Sequence, residues 1–291
     1  MKILCLGFGF CANGLWYDWQ TKGKLDELRF FASWRDKDKK KLLQAKNITP
    51  LEMATDRLAK AMVDSDIWLV SAKPDNDGDA FLQHYGMVVE KWARQKYIIY
   101  LSTTGVYGDH GGAWVDETTL PNPQHTRSKQ RWLAEKSWLR YQAVVLRLGG
   151  IYGPLLDGMG QNILQSIKNG TARRIEKSGQ VFGRIHVFDI ATAIALLIEK
   201  NIKGEVFNVV DDAPINPRLV VDYGFQLLGL PLPALEKFAD AKHTMSSMAQ
   251  SFFADNKRVK NDKIKNIGWQ LQYPSYRQGI DMIYQWDKNR S

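Results

Sequence analysis

The sequence predicts a doubly wound α/β fold, in which helices cover both faces of a parallel sheet. Short apolar runs alternate along the chain with segments of helical periodicity. Each run has the length and composition of a buried parallel strand, and right-handed crossovers join such strands. The predicted strands are residues 2–6, 28–34, 67–71, 97–102, 143–148 and 205–210, and the clearest helices are residues 12–22, 81–94, 129–140 and 189–200.

The composition is that of a globular chain with a sizeable core, since 44% of its 291 residues are hydrophobic. A net charge of +9 suits a phosphate-rich ligand but does not choose between a nucleic acid and a nucleotide. The ten tryptophans are scattered and not interleaved with basic residues, so we expect no nucleic-acid partner. The histidines and cysteines show no metal-ligand spacing, and no metal site is expected.

Cysteine usage and hydropathy predict a cytoplasmic protein. Cys5 and Cys11 are the only cysteines, and a disulfide within one short segment would constrain little, which points to a reducing compartment. Residues 1–16 contain three glycines and no small-residue cleavage site, so they do not resemble a signal peptide. No run of 18 apolar residues occurs, and we expect no membrane partner.

The alternation of strands and helices is interrupted after Gly149 and resumes at about residue 181. We therefore expect a nucleotide-binding domain made of residues 1–154 and 181–212. A smaller, C-terminal substrate-binding lobe is expected from residues 155–180 and 213–291.

A glycine motif stands between the first predicted strand and the first helix. Gly7, Gly9 and Ala12 match G-x-G-x-x-[GA]. In that context the first glycine permits a tight turn, the second lets the backbone approach a pyrophosphate, and the third position keeps helix and strand close. The helix N-terminus then faces the phosphates. The motif makes the predicted fold Rossmann-type.

The end of the second strand favours NADP over NAD. An NAD site places an acidic side chain there for the ribose 2′-hydroxyl. This chain has Arg35, whose guanidinium can bind a 2′-phosphate, and Lys37 adds positive charge. Asp36 would reverse the preference if its side chain turned inward.

Hydroxyl side chains follow the strand at residues 97–102. Thr103 lies just beyond the carboxyl end of that strand, where open α/β sheets hold their ligands. Its hydroxyl can donate to a substrate oxygen, although Ser and Thr also end strands by bonding local backbone.

Several stretches resemble the extended and atypical short-chain dehydrogenases/reductases, which include the NAD-dependent sugar epimerases and dehydratases. The matching stretches occur in the order that the family shows and span nearly the whole chain. They are residues 7–15 (GFGFCANGL), 101–108 (LSTTGVYG), 147–154 (RLGGIYGP), 184–191 (RIHVFDIA) and 206–212 (VFNVVDD). The likeness is strongest to the atypical branch, in which a segment such as residues 102–117 is typical.

The resemblance implies a catalytic tyrosine four residues before a lysine that holds the cofactor ribose. Lys129 would be that lysine, but the residue four before it is His125. Three explanations stay open. His125 substitutes as the acid/base, Tyr107 supplies a phenol, or the protein binds cofactor without redox chemistry.

The resemblance also bears on sugar-diphosphate recognition. Relatives carry a histidine like His186, for which we expect a packing role. Some sugar-nucleotide enzymes place a phosphate-binding arginine four residues before it, where this chain has Phe182, while its own arginine is Arg184. Recognition of a sugar diphosphate is therefore not implied.

We expect an NAD(P)-dependent oxidoreductase or epimerase/dehydratase-like enzyme acting on a small hydroxylated or carbonyl substrate, or else a non-catalytic protein of the same fold that senses NADP(H) or binds a partner. The resemblance suggests a homodimer paired through residues 81–94 and 129–140. The candidate catalytic residues are Thr103, Tyr107, His125 and Lys129. The candidate cofactor-binding residues are Gly7, Phe8, Gly9, Phe10, Ala12, Arg35, Ser71, Ala72, Lys73, Thr103 and Lys129.

Overall fold

The structure is a computed structural model that describes residues 1–290, with the backbone alone at 247 and 248. Its strands are β1 (Lys2–Leu6), β2 (Arg29–Trp34), β3 (Thr49–Glu52), β4 (Ile67–Val70), β5 (Tyr97–Thr103), β6 (Trp114–Val115), β7 (Val144–Leu148), β8 (Gly150–Tyr152), β9 (Ile175–Glu176), β10 (Arg184–His186), β11 (Val206–Val209), β12 (Glu236–Lys237) and β13 (Arg258–Val259).

The α-helices alternate with these strands through the first half of the chain. They are α1 (Phe10–Thr21), α2 (Lys37–Ala45), α3 (Asp56–Asp64), α4 (Ala80–Trp92), α5 (Thr126–Leu139), α6 (Ile163–Lys168), α7 (Val187–Lys200), α8 (Pro217–Leu227), α9 (Phe238–Ala241), α10 (Ser247–Ala254), α11 (Asp262–Asn266) and α12 (Tyr276–Lys288).

Seven strands form one parallel sheet in the order β11-β7-β5-β4-β1-β2-β3. The chain builds outward from β1 in one direction as far as β3 and in the other from β4 onward, so the order reverses between β1 and β4. Such a reversal opens a crevice at the carboxyl ends of the strands, where ligands of α/β proteins bind. The predicted fold class is confirmed, and each predicted strand lies within one residue of its observed bounds.

The sheet is buried on both faces, as a parallel sheet with helices on either side requires. Leu4 and Trp68 on the central strands and Trp138 of α5 are fully buried in one apolar cluster. The Trp68 indole N–H donates to the Met62 carbonyl at 3.0 Å, which satisfies the one polar group that this large side chain brings into the core.

The sequence reading missed one edge of the sheet. Between residues 35 and 64 the structure contains α2, β3 and α3. Helix α2 begins with a charged stretch of four lysines and Asp38, which has no clear helical pattern of apolar residues. Strand β3 has only four residues, and Pro50 is one of them. A proline is tolerated there because β3 is the outermost strand of the sheet.

The chain divides into two compact units. The first comprises Met1–Thr103, Thr126–Arg147 and Ile190–Phe207, and the second comprises Thr104–His125, Leu148–Asp189 and Asn208–Ser291, of which Ser291 lies outside the described residues. The second unit therefore contains both ranges expected for the smaller lobe, together with residues 104–125, 148–154, 181–189 and 208–212.

The second unit holds its own apolar core, in which Leu164 of α6 and Val220 of α8 pack with Ile280 and Ile283 of α12. Short parallel pairs join β8 with β10, β9 with β12 and β6 with β13. In residues 1–290 no helix combines the length and the apolar character that crossing a membrane requires.

Candidate functional site

The turn after β1 is fixed by Gly7. Its φ of +93° is open to glycine but strained for other residues, and a Cβ there would lie 2.9 Å from the Ala72 backbone nitrogen. The Gly7 N–H donates to the Ser33 hydroxyl at 2.8 Å, and the Ser71 hydroxyl donates to the Gly7 carbonyl at 2.8 Å. Hydroxyls from the neighbouring strands thus use both polar groups of Gly7 and hold the turn rigidly.

Gly9 leaves open space at the start of α1. It is exposed, and a Cβ built on it would meet nothing within 4 Å. It is also the N-cap of α1, and no side chain of the described residues caps the helix there. The first amides of a helix lack partners within the helix, so the first turn of α1 fits an anionic group such as a pyrophosphate.

The other residues of the motif support the turn from inside. Ala12 is fully buried and Phe8 is 4% exposed, whereas Phe10 is half-buried at the first position of the helix. Phe8 therefore offers a ligand only its backbone. Cys11 is a buried free thiol, as is Cys5, and burial raises the pKa of each to about 12.

After β2, the side chains of Asp36 and Arg35 have different surroundings in the structure. Asp36 is the N-cap of α2, and its carboxylate accepts from the Asp38 N–H at 3.0 Å. Arg35 is exposed, as is Lys37. The carboxylate is thus engaged in capping, whereas the guanidinium is accessible to a ligand.

The end of β5 is anchored by a buried ion pair. Arg147 of β7 donates to the Glu135 carboxylate of α5 through Nη2 at 2.9 Å and Nε at 3.2 Å, and Ser102 also donates to that carboxylate. The side chains of Glu135 and Arg147 are 1% and 6% exposed. The next residue of β5, Thr103, is half-buried.

Arg131 is the side chain at this strand end that the sequence reading missed. Its Nη1 donates to the carbonyls of Ala72 at 3.0 Å and Leu101 at 2.9 Å, and to the Tyr100 hydroxyl at 3.2 Å. The guanidinium therefore joins the carboxyl ends of β4 and β5. A sequence signal exists, because Arg131 continues the 3.6-residue spacing of the buried helix face that carries Ser128, Glu135 and Trp138.

The predicted lysine does not lie on that face. Lys129 is exposed on the first turn of α5, and Lys73 is exposed after β4. His125 precedes α5 and belongs to the second unit, where its Nε2 is 3.6 Å from an Asp255 carboxylate oxygen, beyond hydrogen-bond distance.

Tyr107 is committed to the interior of the second unit. Its ring is fully buried, and its hydroxyl donates to the Asn208 side-chain oxygen at 2.8 Å. Asn208 in turn donates to the Lys260 carbonyl at 3.0 Å. This arrangement suits a structural role for Tyr107.

His186 and Arg184 lie on β10 in the second unit. Burial lowers the pKa of His186 to about 3, and its ring centroid is 4.2 Å from that of Tyr273. Arg184 donates to the Phe182 carbonyl at 3.1 Å and lies over the Phe182 ring. The neutral, packed histidine has the environment of a core residue. Among residues 1–290 no group of three potential ligands could hold a metal ion.

The sheet topology and the glycine turn define a Rossmann-type α/β protein. The model of the NAD dependent epimerase/dehydratase family matches residues 85–210. The structure is similar, with a TM-score of 0.87 and 37% identity over 98% of both chains, to a conserved protein of unknown function from Silicibacter pomeroyi DSS. The chain belongs to the NAD-dependent epimerase/dehydratase family, and the resemblance to extended short-chain dehydrogenases/reductases is confirmed.

Two further relatives carry names. The chain is 29% identical over 226 residues, 74% of either chain, to the protein YeeZ of Escherichia coli strain K12. It also shares its fold with dTDP-glucose 4,6-dehydratase from Bacillus anthracis str. Ames in complex with NAD, at a TM-score of 0.78 and 20% identity over 100% of this chain and 97% of that one.

Proposed function

We propose that the protein is an NAD(P)-dependent oxidoreductase of the epimerase/dehydratase kind that acts on a small hydroxylated or carbonyl substrate. The observation that carries the proposal is the turn at the start of α1. Ser33 and Ser71 hold Gly7 in place, while Gly9 leaves room beside an uncapped helix N-terminus. Such a turn fits the pyrophosphate of a dinucleotide.

When bound, a nicotinamide cofactor supplies the hydride chemistry. The chain's own residues bind the cofactor and orient the substrate. The first-turn amides of α1 bind phosphate oxygens, and Ser71 and Ala72 keep the turn and β4 in register. Thr103 holds a substrate oxygen from the end of β5. Lys73 and Lys129 remain candidates for charged contacts at the rim.

The direct test is calorimetric titration of the purified protein with NADPH and NADH. We expect NADPH to bind, and absence of binding of either cofactor at millimolar concentration would overturn the proposal. Activity is then sought by following NADPH absorbance with a panel of sugars, aldehydes and ketones.

We propose NADP as the preferred cofactor, because Arg35 is accessible and Asp36 is engaged in capping. Replacing Arg35 by Gln removes the cation expected to face the 2′-phosphate. The variant should lose about tenfold in NADPH affinity while its NADH affinity stays unchanged. An equal loss for both cofactors would contradict the preference.

A second candidate function is cofactor binding without catalysis, as in an NADP(H) sensor or a partner-binding protein. It is favoured by Tyr107, whose phenol is buried against Asn208, and by the absence of a tyrosine four residues before Lys129 or Arg131. A protein that binds NADPH tightly and oxidises it with no member of the panel would support this candidate.

We also propose a homodimer paired through α4 and α5. Each helix presents a large apolar side chain to solvent, Met87 at 90% and Leu133 at 56% exposure. Sedimentation should give a dimer for the unmodified protein and a monomer for the Met87→Lys, Leu133→Lys variant.

The cytoplasm is the proposed location, consistent with two buried free thiols.

A further inference from the structure

The guanidinium of Arg131 occupies a defined position at the carboxyl ends of two strands. One nitrogen, Nη1, makes all three of its hydrogen bonds, to Ala72, Leu101 and Tyr100. The guanidinium carbon also lies 5.6 Å from the centre of the Tyr100 ring. These contacts fix the plane of the group and leave the N–H donors of Nε and Nη2 available to a ligand.

Arg131 is a half-buried cation without a counter-ion in the protein. No carboxylate of the described residues lies within 4.0 Å of it, in contrast to Arg147, which is paired with Glu135. A partly desolvated charge held only by neutral acceptors is costly unless a ligand completes its surroundings. The missing partner is therefore expected to be polar or anionic.

The position of Arg131 identifies which part of a ligand it meets. Ala72, whose carbonyl accepts from Arg131, is also the residue against which Gly7 closes. Burial raises the pKa of Cys11, which lies in the first turn of α1, and the positive charge of Arg131 partly offsets that rise. Arg131 thus lies beside the phosphate turn, on the β4–β5 side of the crevice. Arg35 lies on the opposite, β2 side.

A Rossmann sheet binds the two halves of a dinucleotide on the two sides of this crevice. We infer that Arg131 binds the nicotinamide-side half of the cofactor, through its ribose hydroxyls and adjoining phosphate, in the role that the family resemblance implies for Lys129. The inference rests on the proposed cofactor site. It adds the residue that secures the reactive half.

The identity of the side chain has a chemical consequence. A guanidinium stays protonated at neutral pH, so Arg131 can hold and orient but cannot pass a proton. The residue four before it is Arg127, not a tyrosine. The one phenol it touches, that of Tyr100, is fully buried, and burial raises its pKa to about 12. The site therefore keeps a binding cation and lacks a phenol that exchanges protons.

The test measures the binding of whole cofactor and of its two halves to the Arg131→Gln variant by calorimetry. NADPH and nicotinamide mononucleotide should bind at least about tenfold more weakly than to the unmodified protein, as expected for lost charge-assisted hydrogen bonds. Adenosine 2′,5′-bisphosphate, which lacks the nicotinamide half, should bind unchanged.

Two matched variants control the measurement. Lys136→Gln removes the same charge from an exposed position further along α5 and should leave all three affinities unchanged. Arg35→Gln should weaken NADPH and adenosine 2′,5′-bisphosphate and spare nicotinamide mononucleotide. A loss in Lys129→Gln with none in Arg131→Gln would overturn the inference and return the role to Lys129.

Arg131→Lys separates charge from structural support if the glutamine variant folds poorly. Lysine keeps the charge but loses it near its pKa of about 10.4. NADPH affinity of the lysine variant should fall as the pH rises through that pKa, from about 9 to about 11.5, beyond any fall seen in the unmodified protein. Parallel pH profiles would contradict the inference. Failure of the unmodified protein to bind NADPH would instead defeat the proposed function.

Discussion

Two regions of the first unit differ in how they are built. The glycine turn at Gly7 and Gly9 is held by backbone geometry and by two hydroxyls. The end of β5 is held by charged side chains, with Glu135 paired to Arg147 and Arg131 joined to strand carbonyls. The first region matches the glycine motif of a dinucleotide-binding turn, whereas the second carries the cations Arg127 and Arg131 where the family resemblance implies a tyrosine and a lysine. The proposed cofactor binding and any proton transfer would thus depend on differently built parts of the first unit.

The largest expected effect is the loss of stability when the buried ion pair at the end of β5 is broken. Glu135→Gln removes the carboxylate that pairs with the 6%-exposed Arg147, and breaking a buried ion pair costs about 3 kcal/mol or more. Urea unfolding should show this loss. The control is Glu90→Gln on the exposed surface of α4, where the lost partner is the Tyr141 hydroxyl and less than about 1 kcal/mol is expected. Equal losses in the two variants would show that the ion pair does not stabilise the strand end.

The next effect tests the backbone-held region. Gly7→Ala forces a methyl group against the Ala72 backbone at a φ of +93° and should destabilise the fold by about 2 kcal/mol. Gly9→Ala is the matched control, since its φ is −96° and its Cβ meets nothing. We expect it to change stability by less than about 0.5 kcal/mol while weakening NADPH binding. Unchanged NADPH affinity would mean that the open space does not receive the cofactor.

These two regions also show what a sequence can predict. The glycine turn was predictable because its requirements lie within six consecutive residues, each tied to a backbone need. The strands were predictable because a buried parallel strand is a continuous apolar run. The charged region joins residues 72, 101, 131, 135 and 147, and their meeting depends on helix register and strand order. The family resemblance singled out Lys129 as the lysine that holds the ribose, whereas helical periodicity places Arg131 on the buried face.

A smaller effect concerns the tyrosine proposed as a proton donor. Tyr107→Phe leaves the buried Asn208 oxygen without its donor, which should cost about 1–2 kcal/mol in urea unfolding. NADPH affinity should not change. Tyr284→Phe, a half-buried position, serves as the control and should leave stability unchanged. If Tyr107→Phe instead keeps full stability and abolishes a turnover found in the substrate panel, the tyrosine is catalytic.

The smallest effect separates the role of Asp36 from that of Arg35 after β2. Asp36→Ala removes the cap of α2 and should destabilise the protein by about 0.5–1 kcal/mol. Because its carboxylate is engaged with the Asp38 N–H, we expect NADPH and NADH affinities to stay as they were. Asp36→Ser, which retains a capping side chain, should recover most of the stability. A selective loss of NADH binding in Asp36→Ala would show that this carboxylate turns toward the ribose when cofactor binds, and the preference for NADP would then be wrong.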